Sequence, residues 1–274
     1  MNTEVILIRV SPKAVFSYDI ENGHFHRENP YSEVTDYSYS SEFKHHKRAN
    51  DLSNFVKIER VYQLENTDKA QAEIAQLARR LHLTDFSVIE GPLERPEFVA
   101  DYRPSSPTAY LDFFLQKWHR GCSPLYSEEE LQEGENHIKN LRHTHPSYGE
   151  LNEYEYIAKM LSMLDSNQTQ LFPCEAGVHS FQVNGDGALF RCNRYAKAGL
   201  EKSSDEIGCI DSVDDLAPCK SCFSRYMCGG RCNLLINQLQ SNACVLFREF
   251  TIVLLKAIIS HHLAEKSAGI LVKE

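Results

Sequence analysis

Apolar and polar positions follow three different rhythms along the chain. Near the start, "EVILIRV" (4–10) and "AVFSYD" (14–19) are short runs rich in β-branched and aromatic residues, and they predict one or two strands. Residues 21–54 are polar, rich in His, Tyr and Ser and without a period, which makes a poor core segment. "FVKIERVYQL" (55–64) and "DFSVIEGPL" (85–93) each read as a strand. Between them, Ile74, Leu77, Ala78 and Leu81 form an i, i+3, i+4, i+7 stripe, with Asn66 or Thr67 placed to cap the helix. Strand, helix and strand in this order make a βαβ unit with a parallel pair.

The connector "GPLERPEFVADYRPSSP" (91–107) precedes helical patterns over 107–120, 127–143 and 151–165. Ser127 and Glu130 have the spacing of a capping box. From about 172 the pattern changes again. "SFQVNGDGALFRC" (180–192) is a pair of short runs around an Asn/Gly/Asp turn, the mark of a β-hairpin. The tail, 244–266, is helical, with an apolar face that must pack on something. The reading is an α/β chain with a boundary near 168–172: an α/β region over 1–168 and a cysteine-rich region over 169–274.

Composition narrows the class. The 274 residues are 42% hydrophobic and 24% charged, which fits a globular protein with a true core. A net charge of −9 argues against binding nucleic acid through phosphate neutralisation, and the basic run "KHHKR" (44–48) reads as a solvated loop. No basic and then apolar leader opens the sequence, and Lys256 interrupts the most apolar stretch, "FTIVLLKAII". The expectation is a cytoplasmic protein without a membrane partner. In a reducing compartment structural disulfides are disfavoured, so nine cysteines need another role.

Eight of the nine lie between residues 174 and 244. Cys219 and Cys222 form a C-x2-C pair, followed by Cys228 and Cys232. Those four alone have the number and chemistry for one zinc ion. With Cys174, Cys192 and Cys244 the set becomes seven thiols, which suits two centres, and iron–sulfur clusters are the usual choice for thiolate-only sets of that size.

The full spacing is Cys174-x12-Gly187-x4-Cys192, then Cys219-x2-Cys222-x5-Cys228-x3-Cys232, then Cys244. It resembles the seven-cysteine signature of the SPASM domain, the auxiliary iron–sulfur domain of many radical S-adenosylmethionine enzymes. Residues 57–93 are similar to a late strand–helix–strand step of the radical SAM partial barrel, and "SPTAYLDFFLQKW" (106–118) resembles the helix that precedes SPASM. The implied fold is a truncated radical-SAM-like barrel followed by a SPASM domain with its hairpin and C-terminal helices. The implied cofactors are two clusters, [4Fe-4S] in type: one on Cys219, Cys222, Cys228 and Cys244, the other on Cys174, Cys192 and Cys232. Relatives often add a fourth cysteine soon after the first. Here "EAGVHSF" (175–181) offers only His179, so the second site is either open on one iron or completed by another group.

One departure shapes the functional reading. The S-adenosylmethionine cluster needs C-x3-C-x2-C, and no cysteine precedes Cys122. The chain by itself is not expected to bind or cleave S-adenosylmethionine. It resembles the grasp-with-spasm peptide-maturation proteins. That implies a precursor peptide and an ATP-grasp or radical SAM protein as partners, with substrate binding, electron transfer or scaffolding as the role. Whether it is itself an enzyme stays open, and no catalytic side chain stands out. A zinc-holding adaptor, or one piece of a full radical SAM/SPASM enzyme, is the alternative. Cys122 and Cys209 read as half-buried thiols outside both sets. Arg191, Arg194, Arg225 and Arg231 flank ligand positions; each by itself reads as a surface residue, though together they would tune a negative cluster. Gly229 and Gly230 imply close backbone approach. His143 and His145, and His261 and His262, lack carboxylate or cysteine partners at ligand spacing.

Overall fold

A computed structural model of the chain describes residues 5–11, 14–19, 25–28, 37–39, 58–93, 104, 106–120, 126–165, 174, 176–202, 212–213, 215–216, 219–230 and 241–271. The basic run at 44–48, most of the connector after residue 93, Cys122, Cys209, Arg231 and Cys232 lie outside the described residues. The fold is mixed α/β. The chain forms two compact units that interleave in sequence: 47–96 with 172–212, and 1–46 with 97–171 and 213–274. The βαβ segment groups with the hairpin rather than with the helices that follow it.

In the 47–96/172–212 unit, β5 (Arg60–Gln63), α1 (Asp68–Arg80) and β6 (Ser87–Glu90) form the expected βαβ step, with β5 and β6 parallel. Thr67 caps α1, its hydroxyl accepting from the Ala70 amide at 3.2 Å and donating to the Gly185 carbonyl. Ala70, Ile74 and Leu77 face Val61, Phe181 and Val183 in one apolar cluster. The expected hairpin is β7 (Ser180–Val183) and β8 (Leu189–Phe190), and it continues the same sheet: β7 lies parallel to β5, giving the order β6-β5-β7-β8. At its turn the Gly187 amide bonds the Asn184 carbonyl at 2.9 Å, and Gly187 has φ +88°. That conformation explains a glycine at this position.

The other unit holds an antiparallel sheet, β3-β2-β1-β4, made of β1 (Val5–Ser11), β2 (Ala14–Asp19), β3 (Phe25–Glu28) and β4 (Tyr37–Tyr39). The last two were not foreseen in the polar segment, which has little apolar alternation and acquires strands by pairing with β1 and β2. The helices are α2 (Pro107–Arg120), α3 (Glu128–Thr144), α4 (Tyr148–Asn152), α5 (Glu155–Asp165) and α8 (Ser241–Leu271), and two short ones, α6 (Asn193–Lys197) and α7 (Arg225–Cys228), complete the described set, α6 belonging to the first unit. The capping box of Ser127 and Glu130 forms. A second one, Ser147 with Glu150, starts α4, and the single helix expected over 151–165 breaks between 152 and 155.

α8 is more than a helix with one apolar face. From Phe250 to Ile259 every residue except Lys256 is buried, because α3, α4, α5 and β1 pack around it. No helix among the described residues is long and apolar enough to cross a membrane.

A buried carboxylate joins two of these helices. Asp112 of α2 is 6% exposed and its Oδ1 accepts from the Tyr156 and Ile157 amides at 2.8 and 3.0 Å, while Oδ2 takes the Gln116 amide at 2.9 Å. Asp112 thus caps α5 from a neighbouring helix. Replacing it with alanine leaves two buried amides unbonded. The expected loss is about 2 kcal/mol in urea unfolding, with Asp112→Asn losing less; an alanine variant within about 0.5 kcal/mol of wild type would contradict the cap.

Candidate metal centre

Residues 219–230, "CKSCFSRYMCGG", fold as a chain of tight turns. The amides of Cys219 and Lys220 bond the Leu216 carbonyl, and that of Cys222 bonds the Cys219 carbonyl at 2.7 Å. One turn of helix, α7, then brings Cys228 back over Ser224, with an amide-to-carbonyl distance of 2.9 Å. Gly229 ends it at φ +64° and Gly230 follows at φ +75°. A side chain on Gly230 would stand 3.2 Å from the Val213 methyl and 3.9 Å from the Cys219 sulfur. The backbone at Gly230 therefore passes close to the Cys219 sulfur.

The fourth thiol arrives from α8. Cys244, Phe247, Arg248 and Thr251 share one face by their i, i+3, i+4, i+7 spacing. That face meets the turns: the Thr251 and Ser224 hydroxyls are 2.9 Å apart and both residues are buried. Phe223 makes an edge contact with Tyr37 at 6.2 Å, and the Tyr37 hydroxyl donates to Glu249 at 2.6 Å, so β4 braces the same junction.

Cys219, Cys222, Cys228 and Cys244 are each half-buried, and their charges couple. Burial pushes the Cys219 thiol up to about 12, with Cys222 and Cys244 adding to the rise and Arg225 opposing it. Cys228 is pushed well above the usual thiol range, first by burial and then by Cys222, Cys244 and Cys219; the nearby Trp118 indole works the other way. Cys222 is raised by burial too, with the Ser224 amide and the charges of Arg248 and Arg225 opposing. Three thiols held protonated by burial, with Cys244 adding to the rise of Cys219 and Cys228, suit a cation that removes the protons and neutralises the set. The donor set, all sulfur, with two guanidinium groups and an indole N–H at its edge, fits an iron–sulfur cluster better than a hard cation. Among the described residues, no group of three or more His, Cys, Asp or Glu side chains stands in closed metal-ligating geometry. The four sulfurs are therefore neighbours without being drawn to one point.

Arg225 corrects the expectation of a surface residue. It is 2% exposed, its Nη1 donates to the Cys222 carbonyl at 3.1 Å, its Nη2 to the Tyr226 hydroxyl at 3.4 Å, and its guanidinium lies 4.4 Å from the Tyr226 ring. Arg191 packs 5.7 Å from the Tyr195 ring. Trp118, at the end of α2, was not singled out in the sequence; it stacks with Tyr126 and leans on Phe247 at 5.8 Å.

The second set is only partly described. Cys174 precedes the bridge between Ala176 and Ser180, and Cys192 follows β8 as the residue before α6; both are half-buried. The carbonyl of half-buried His179 accepts from the Glu59 and Arg60 amides at 2.8 and 3.1 Å, which fixes the start of β7 against β5. Of the histidine pairs, His261 and His262 do have a carboxylate neighbour: Glu265 stands 3.5 and 3.6 Å from their ring nitrogens. No protein-family model, curated protein or solved structure matches the chain.

Proposed function

We propose that the chain is a SPASM-type iron–sulfur protein that takes part in the maturation of a ribosomally made peptide, without a cluster of its own for S-adenosylmethionine. The observation that carries this reading is the gathering of Cys219, Cys222, Cys228 and Cys244 from two distant segments, with buried Arg225 beside them. These four would hold one [4Fe-4S] cluster, and Cys174, Cys192 and Cys232 the other, with His179 or an outside group on the last iron. The parallel β5–α1–β6 step is consistent with a cut-down radical-SAM-like barrel. A bound cluster supplies one-electron transfer and, at an open iron, a Lewis-acid position. The protein's own part is to keep water from the thiolates, to set the local charge through Arg225 and Arg248, and to present a surface to the peptide and to an ATP-grasp or radical SAM partner.

The test is composition. Protein purified without oxygen should be brown, bleach with dithionite, and carry roughly seven to eight irons with matching sulfide. Colourless protein with stoichiometric zinc and no sulfide would replace this reading with the zinc-holding adaptor.

A further inference from the structure

The sheet β6-β5-β7-β8 is covered at one end and open at the other. At β8, Lys202 bridges to Leu189. Beyond β6, no strand stands among the described residues. The bonds from β6 to β5 leave from alternate residues: the Ser87 amide reaches the Glu59 carbonyl and the Gly91 amide the Gln63 carbonyl, each at 2.9 Å. In a strand the N–H and C=O of one residue point to the same side, and the next residue's point to the other. Val88 and Glu90 therefore turn theirs away from β5. Pro92 has no N–H, so the row of outward donors ends at Glu90. The Leu93 amide then bonds Gln182 Oε1 at 3.1 Å, which carries the chain back across the sheet. We propose that the β6 edge takes up an extended peptide as an antiparallel strand, with an apolar residue opposite Val88 and a basic residue opposite Glu90.

The side chains say which strand fits. Phe181, Val61 and Val88 are in register across three strands, so they form one row on the α1 face of the sheet. Phe181 and Val61 are 0% exposed, and Val88 is 48% exposed. The row thus ends on a valine with no neighbour on its outer side among the described residues, and an apolar residue on an added strand continues it. Glu90 lies two residues on, on the same face and exposed, and makes no ion pair among the described residues. Arg60, the other charged residue of β5 and β6, pairs with Ser87 and so lies on the opposite face. A basic residue across from Glu90 supplies the missing charge. A second copy of the chain is a poor match. Antiparallel pairing of two β6 edges through all four outward groups sets each valine opposite a glutamate, and centring the pair on Glu90 sets two carboxylates together.

That the strand belongs to the peptide to be matured rests on the proposed function; the open edge and its pairing do not. The probe is acetyl-Thr-Lys-Thr-Val-Thr-amide, which in antiparallel register sets its lysine opposite Glu90 and its valine opposite Val88. Titrated into the full chain, it should move the Val88 and Glu90 amide signals in a nuclear magnetic resonance spectrum, and the shifts should saturate. The same peptide N-methylated at its lysine and valine loses the two N–H groups that face the edge and should bind at least about tenfold more weakly. N-methylation at the central threonine, whose N–H faces away, should leave affinity within about twofold. Val88→Pro removes one outward donor and none of the bonds to β5, and should also weaken binding about tenfold. Glu90→Lys should weaken it about threefold and favour the peptide carrying glutamate in place of lysine. Shifts that do not saturate, equal affinity for the peptide methylated at lysine and valine, or affinity unmoved by both variants would overturn the proposal. A dimer that Val88→Pro dissolves would give the edge to a second copy and overturn it too. Iron and sulfide measured on the same samples read the thiol site separately, so failure of one assignment leaves the other standing.

Discussion

Cys228→Ser should cost the protein about half of its iron and sulfide, roughly four of eight atoms each, while the fold survives. Cys228 sits where α7 ends, and three other thiols act on it electrostatically. A serine hydroxyl is a far weaker ligand for iron than a thiolate, so the three remaining sulfurs of that set are left with an iron they hold poorly. Cys244→Ser should behave alike even though it lies on α8, because the two helices meet through the Ser224–Thr251 contact. Cys174→Ser belongs to the other proposed set and should remove different irons, so the Cys228→Ser/Cys174→Ser pair should be additive and nearly iron-free. Cys122→Ser should change nothing. Iron and sulfide assays, with far-ultraviolet circular dichroism to confirm retained helix, decide it. Full iron in Cys228→Ser would remove that thiol from the ligand set. Identical, non-additive losses from Cys228 and Cys174 would mean one shared site.

The elements legible in the sequence are those whose determinants are local. The βαβ step follows from the stripe of Ile74 and Leu77 and the cap at Thr67, all within one helical segment. The Ser127–Glu130 capping box is a four-residue pattern, and so is Ser147–Glu150 in "SYGE". The hairpin is readable because its turn demands Gly187. What stays hidden is decided by partners distant in sequence. β3 and β4 exist because β2 and β1 offer them edges. Asp112 caps α5 from 44 and 45 residues away. β7 joins β5 across more than a hundred residues, so the hairpin and the βαβ step share one sheet.

The candidate site divides in the same way. Cysteine spacing names the thiols, since ligand type and interval are sequence properties. It says nothing of which other side chains the fold turns inward. Arg225 and Trp118 are a charged and an aromatic residue like many others until the turns around Gly229 and Gly230 and the face of α8 bury them against the sulfurs. Glu265 meets His261 and His262 through helical spacing of four and three residues, a local pattern of the same kind as the capping boxes.

Arg225 carries the second large expectation. A buried guanidinium, here 2% exposed, is stabilised by negative charge close to it. In the proposed cluster, metal-bound thiolates would supply that charge, in keeping with Arg225 opposing the rise of Cys219 and Cys222. A fixed positive charge favours the reduced, more negative state of a cluster over the oxidised one. Taken at about 7 Å and an effective dielectric of about 20, it contributes about 2 kcal/mol, on the order of 100 mV per electron. Arg225→Met fills the same space with an uncharged chain, so the midpoint potential of the four-thiol centre should fall by roughly that amount, while Arg225→Lys should keep most of the original value. Redox titration followed by electron paramagnetic resonance measures both centres in one sample. A shift confined to the other centre, or none at all in a methionine variant that retains full iron, would show that Arg225 serves packing through Tyr226 alone.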